Sequence, residues 1–235
     1  MIQALSVTRI IEESIYENSP IKNATGSFIS IEQLALDAEI LTKKHAGLFA
    51  FLAFHPQQDS AVREYLEAQS VCSDAGATIM VLTMAAQPCG FAEDVTPELL
   101  VGKTAVRYTR HPAYEVAEWM FPTGRRPLLP GLLIFDRVFD VRDALYVPLA
   151  GCENRKQVGD LCRKVFLLAE EAWSKDNASW IDRAAARLNE EKIDYQRTGD
   201  KSLREWLVNA LQVVSKAGIS LVVLFPKVVS KVFGL

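Results

Sequence analysis

An α/β fold built on one central sheet is what this 235-residue sequence predicts, and three stretches carry the prediction. The first is Leu48 to Phe54, a continuous apolar run of strand length, suited to a strand buried on both faces as in a parallel sheet. The second follows it: residues 59 to 75 show helical spacing through Val62, Tyr65, Leu66 and Gln69, and Thr78 to Met84 is another apolar run. Strand, helix and strand make a βαβ unit, whose crossover is right-handed. The third is the pair 132–135 and 144–149, which reads as two antiparallel strands across the polar segment Asp136 to Asp143, closed by a helix from Gln157 to Trp173.

The other elements follow in chain order. Ile2, Leu5, Ile10, Ile11 and Ile15 recur near the helical period and predict a helix over 2–17, broken by Pro20 and Asn23. Ser30 and Gln33 have capping-box spacing, and Leu34, Leu36, Ile40 and Leu41 continue a second helix to Lys44. His55-Pro56 ends the first strand, and Gly76 is placed to cap the helix after it. Beyond the turn Gln87-Pro88-Cys89-Gly90, His111-Pro112 opens a helix over Ala113 to Met120. After Trp173 the chain is rich in charge and in helix formers, with Thr198-Gly199-Asp200 dividing two helices whose Trp180, Tyr195 and Trp206 anchor their packing.

The tail, residues 217–235, is markedly apolar, and a helical wheel gathers Lys216, Ser220, Lys227 and Lys231 on one narrow face. This predicts an amphipathic C-terminal helix. Pro226 and two lysines interrupt it, so it does not suit a bilayer span. Burial against the chain's own core is favoured over a subunit or partner interface, and both over a membrane surface. The domain reading is a helical extension over 1–25, the α/β domain over 26–173, and a helical extension with the apolar tail over 174–235.

Composition narrows the function. With 49% hydrophobic and 23% charged residues the chain can bury one good core, and a net charge of −3 lacks the Lys and Arg excess that phosphate-driven nucleic-acid binding needs. The first residues mix Thr8, Arg9, Glu12 and Glu13 among apolar ones, unlike a secretory signal, which sets the expectation of a cytoplasmic protein. Cys72, Cys89, Cys152 and Cys162 stand at irregular spacings, without the pattern of a disulfide framework or a metal site. Gly124-Arg125-Arg126 lacks the glycine spacing of a phosphate loop, so neither metal nor cofactor is expected.

Four segments then carry a resemblance. FAFLAFHPQQDSAV, AGATIMVLTM, HPAYEVAEWMFP and RPLLPGLLIFDRVFDVR together resemble the peroxiredoxin-like (alkyl hydroperoxide reductase / thiol-specific antioxidant) family of the thioredoxin-like fold, over residues 26–168. The resemblance implies a thioredoxin-like sheet flanked by helices and, from the family's habit of pairing, a homodimer. It also implies a peroxide-reducing cysteine in the first turn of the helix after the first strand, where a helix N-terminus favours the thiolate. Ser60 stands there. A serine hydroxyl forms no sulfenic acid, and serine is also favoured at that place for capping. Pro130 matches the family's active-site proline, typically preceded by a cis bond. Leu129 stands where the family has an arginine, with Arg125 and Arg126 near in sequence.

The function expected from these residues is a non-catalytic peroxiredoxin-like scaffold that binds a protein partner or itself through its C-terminal helices. The competing expectation is a thiol-dependent oxidoreductase with a relocated cysteine, Cys89, near His55, Ser60, Pro130 and Arg126. His55, Asp59 and Ser60 also supply the residue types of a hydrolytic triad, although sequence neighbours rarely reach that geometry. A membrane-associated effector rests on the tail alone.

Overall fold

The computed structural model describes residues 2–8, 47–68, 70–86, 93–102, 110–137, 140–175 and 177–226. Among the described residues, eight strands form one mixed sheet. They are β1 (Ile2–Ser6), β2 (Leu48–Ala53), β3 (Ile79–Ala85), β4 (Glu93–Asp94), β5 (Gly131–Phe135), β6 (Ala144–Pro148), β7 (Gln196–Arg197) and β8 (Ser220–Pro226). The order across the sheet is β4-β1-β8-β3-β2-β5-β6-β7. Only β2 and β3 run parallel, with Ala50 opposite Val81; every other pair is antiparallel.

Side chains of alternating residues point to opposite faces of a strand, and the strands β8, β3, β2, β5 and β6 are apolar on both. On one face Ala50, Leu52, Val81, Ile134, Val147 and Val222 meet α1 (Ser60–Glu67), α2 (Val71–Ala75), α3 (Pro97–Val101), α5 (Arg155–Lys175) and α6 (Trp180–Glu190). On the other, Phe49, Phe51, Leu82, Leu133, Tyr146 and Val223 meet α4 (Pro112–Trp119) and α7 (Leu203–Ala217). Trp206 of α7 is buried between Phe51 and Phe135, with ring centroids 5.0 and 4.9 Å away.

The βαβ unit, the antiparallel pair, the helix before it and the helix after it all form. All six residues of β2 are buried, as a continuous apolar run predicts. The helix expected over 59–75 is two helices. Tyr65 donates its hydroxyl to Asp74 Oδ2 at 2.9 Å across the break, folding α2 back on α1. Gly76 follows α2 with φ of 66°, which glycine adopts without a Cβ penalty.

Both chain ends require correction. Ile2–Ser6 is a strand rather than the start of a helix, hydrogen-bonded on one side to β8 and on the other to β4. The amphipathic C-terminal helix is likewise overturned for residues 217–226. Ala217 ends α7, Gly218 turns left-handed at φ of 67°, and β8 then runs between β1 and β3. Five consecutive residues, Leu221 to Phe225, are buried because a strand in the middle of a sheet covered on both faces presents neither side to water. Lys216 lies in the last turn of α7 and Ser220 begins β8, so these two do not share the helical face the wheel gave them. Residues 9–17, the helix expected to 44, Cys89 and residues 227–235 lie outside the described residues.

Candidate functional site

The parallel strands β2 and β3 end side by side, and the chain leaving β2 makes a tight turn before α1. Gln58 and Asp59 donate their amides to the His55 carbonyl at 3.1 and 2.8 Å. Asp59 occupies the N-cap position of α1, yet its side chain caps no helix amide. Its Oδ2 instead accepts the His55 amide at 2.6 Å and the Tyr114 hydroxyl. One carboxylate thus ties the turn after β2 to the first turn of α4.

Two His-Pro pairs meet at this place. His55 ends the strand segment, His111 is the N-cap of α4, and both are 4% exposed. Their ring centroids lie 5.1 Å apart. Gln57 N donates to His55 Nδ1 at 3.1 Å and Ala113 N to His111 Nδ1 at 3.2 Å. A ring nitrogen that accepts an amide hydrogen carries no proton of its own, so both neutral imidazoles bear theirs on Nε2. Burial, then the neighbouring His55, pushes the His111 imidazole down to about 4. The hollow between the two rings, Ala86, Leu100 and Val101 measures about 10 Å³, room for no more than one water.

Ser60 is exposed at the first position of α1, as its place after the strand predicts. It is not joined to a triad. His55 Nδ1 already accepts Gln57 N, and Asp59 holds the His55 backbone rather than its ring. No hydrogen bond links Ser60 to His55 or Asp59 among the described residues, so nothing there withdraws the hydroxyl proton.

Pro130 directly precedes β5, and the Leu129–Pro130 bond is cis. Arg126 is exposed, and no hydrogen bond or ion pair ties it to Ser60, His55 or any other described residue. The structure therefore brings His55 and His111 together and leaves Arg126 apart.

Sequence reading missed Tyr114 and Tyr146. Tyr146 donates its hydroxyl to the Leu128 carbonyl at 2.7 Å and packs edge-on against Phe121. Burial raises the pKa of both phenols; the bond to Asp59 adds to it for Tyr114, as do Tyr114 and the Asp59 carboxylate for Tyr146. The one available signal was the repeated His-Pro pair, each at the end of an apolar or helical pattern.

The described cysteines lie in or against the core cluster beneath α1, α2 and α5 and are poor nucleophiles. Burial pushes the Cys72 thiol up to about 12, and raises Cys152 and, together with Cys152 and Asp74, Cys162. Among the described residues there is no group of three or more His, Cys, Asp or Glu side chains able to hold a metal, and no helix long and apolar enough to cross a membrane. A larger hollow of about 510 Å³ lies between α1 and α5, lined by Tyr65, Ser70, Arg155, Lys156, Asp160 and Arg163.

No protein-family model matches the sequence, and no curated protein or solved structure matches the chain.

Proposed function

We propose that this chain is a thioredoxin-like, peroxiredoxin-like scaffold that has no peroxidase chemistry at Ser60 and acts by binding a protein partner or a second copy of itself. What supports the fold reading is the order β3-β2-β5-β6, with β2 and β3 parallel and β5 and β6 antiparallel to their neighbours. α1 follows β2, α4 and the cis Pro130 precede β5, and α5 follows β6. The observation that carries the functional reading is Ser60 itself, exposed at the start of α1 with no base positioned to activate it among the described residues.

The binding surface in this reading is the outer side of the C-terminal helices. The apolar faces of α6 and α7 are already buried within the chain, through Trp180, Ala184 and Leu188 and through Trp206, Leu207 and Leu211. A partner meets their exposed polar faces, including Arg187, Arg204 and Gln212. Light scattering over a wide concentration range and affinity capture with the intact chain test this. Self-association, or a captured protein lost on charge reversal at Arg187 and Arg204, supports it; a strict monomer that captures nothing overturns it.

A second reading is a thiol-dependent oxidoreductase that uses Cys89. It draws on Ala86, three residues before Cys89 in sequence, which lines the same hollow as His55 and His111. Mass-spectrometric mapping of thiol oxidation during a peroxide titration separates the two. Fast, dithiol-reversible oxidation of Cys89 favours the enzyme, and slow uniform oxidation of all four cysteines favours the scaffold.

A further inference from the structure

The paired histidines do something a structural pair of rings need not do. Each ring is the hydrogen-bond acceptor that holds a backbone segment, His55 for the turn after β2 and His111 for the first turn of α4. An imidazolium has two N–H donors and no acceptor. Adding a proton to His111 places an N–H against the Ala113 amide N–H only 3.2 Å from the nitrogen, so the bond is replaced by repulsion.

We propose that His55 and His111 form an acid-sensitive latch that holds the start of α4 against the turn after β2, closed while the His111 ring is neutral and released when that ring is protonated. Among the described residues, few charged groups stand around the pair. From the turn, Asp59 has Oδ2 engaged by the His55 amide and the Tyr114 hydroxyl, and Arg63, itself a cation, donates to the Pro56 carbonyl at 3.2 Å. α4 brings Tyr114, and Arg110 before it is paired with Glu118. α3 and the end of β3 bring Leu100, Val101 and Ala86, which carry no charge.

Release lets the first turn of α4 move off, draws Tyr114 from Asp59, and uncovers the end of β2 beside Ser60. The event is local. The packing of α5 and α6 on the opposite face of the sheet does not depend on either ring.

The test is amide hydrogen exchange on the intact chain between pH 7 and pH 4, corrected for intrinsic exchange. With the His111 ring near 4 when closed and near 6.5 when open, protection over residues 112–116 falls by about a hundredfold, while α5 keeps its protection. His111→Asn retains a capping acceptor without a titrating ring, and in that variant the fall is reduced to a few-fold. Unchanged protection in the wild type overturns the latch. So does an equal loss over α5, which would report global unfolding, or an undiminished fall in His111→Asn. Should that variant fail to fold, the imidazole NMR titration of the wild type decides: a His111 ring that protonates with no loss of protection at 112–116 refutes the proposal, and coincident titration supports it.

Discussion

Gly131 is required by a side chain rather than by its own backbone, and its replacement is the sharpest test of the packing around the cis proline. A Cβ on Gly131 would stand 2.0 Å from Tyr146 Oη, 2.2 Å from Cζ and 2.6 Å from Cε2. Tyr146 lies diagonally across from Gly131, since Leu133 is its direct partner and Gly131 faces Pro148. Its ring passes over the glycine to reach the Leu128 carbonyl at 2.7 Å. To restore even a 3.0 Å contact in Gly131→Ala, the hydroxyl must move by about 1 Å, which breaks that bond and drives the buried ring toward Phe121. Losing a buried hydrogen bond costs about 1 kcal/mol and overpacking a further 1–3 kcal/mol, so Gly131→Ala should destabilise the fold by roughly 2–4 kcal/mol.

Equilibrium urea unfolding measures this, and a double-mutant cycle tests its cause. Tyr146→Phe alone should cost about 1 kcal/mol, and close to nothing in the Gly131→Ala background, where the bond is already lost. A cost below about 0.5 kcal/mol for Gly131→Ala, or fully additive substitutions, would refute the account.

Three further outcomes follow from the same physics. Val222 is fully buried in β8, so Val222→Asp should cost roughly 4 kcal/mol or more and abolish folding or nearly so; a soluble, cooperatively folded variant would remove β8 from the core. Ser202 Oγ accepts Glu205 N at 3.3 Å while Glu205 Oε2 accepts Ser202 N at 2.8 Å, and Ser202→Ala should lower stability by about 1–2 kcal/mol in urea melts, with a smaller effect counting against the capping box. His111, near 6.5 unfolded and pushed down to about 4 when folded, binds protons more readily in the unfolded chain. The hold it gives the start of α4 is therefore complete above about pH 6.5, declines as pH falls, and is lost by about pH 4; His111→Asn should flatten that part of the pH profile of α4 opening, and parallel profiles would deny it.

What sequence alone determined is the middle of the molecule. The apolar run from Leu48, the helical spacing after it, the run from Thr78, and the pair 132–135 and 144–149 each contain their own evidence, because strand length, turn residues and helical period are local properties. His55-Pro56 and His111-Pro112 were legible as boundaries for the same reason, and Ser60 as a residue of a helix's first turn.

Tertiary structure alone decided the ends and the site. Ile2–Ser6 and Ser220–Pro226 are short apolar segments whose residues also fit a helical wheel, and they become strands because each satisfies the other's backbone groups, with Leu5 opposite Val223, and because β3 completes β8 on its other side. No window of the sequence contains that partner. Likewise Asp59 looked like a triad member, but Tyr114 competes for its carboxylate from 55 residues away. His55 and His111 became a pair only because the end of β2 and the start of α4 pack together, and the chemistry of each ring is set by which amide its Nδ1 must accept.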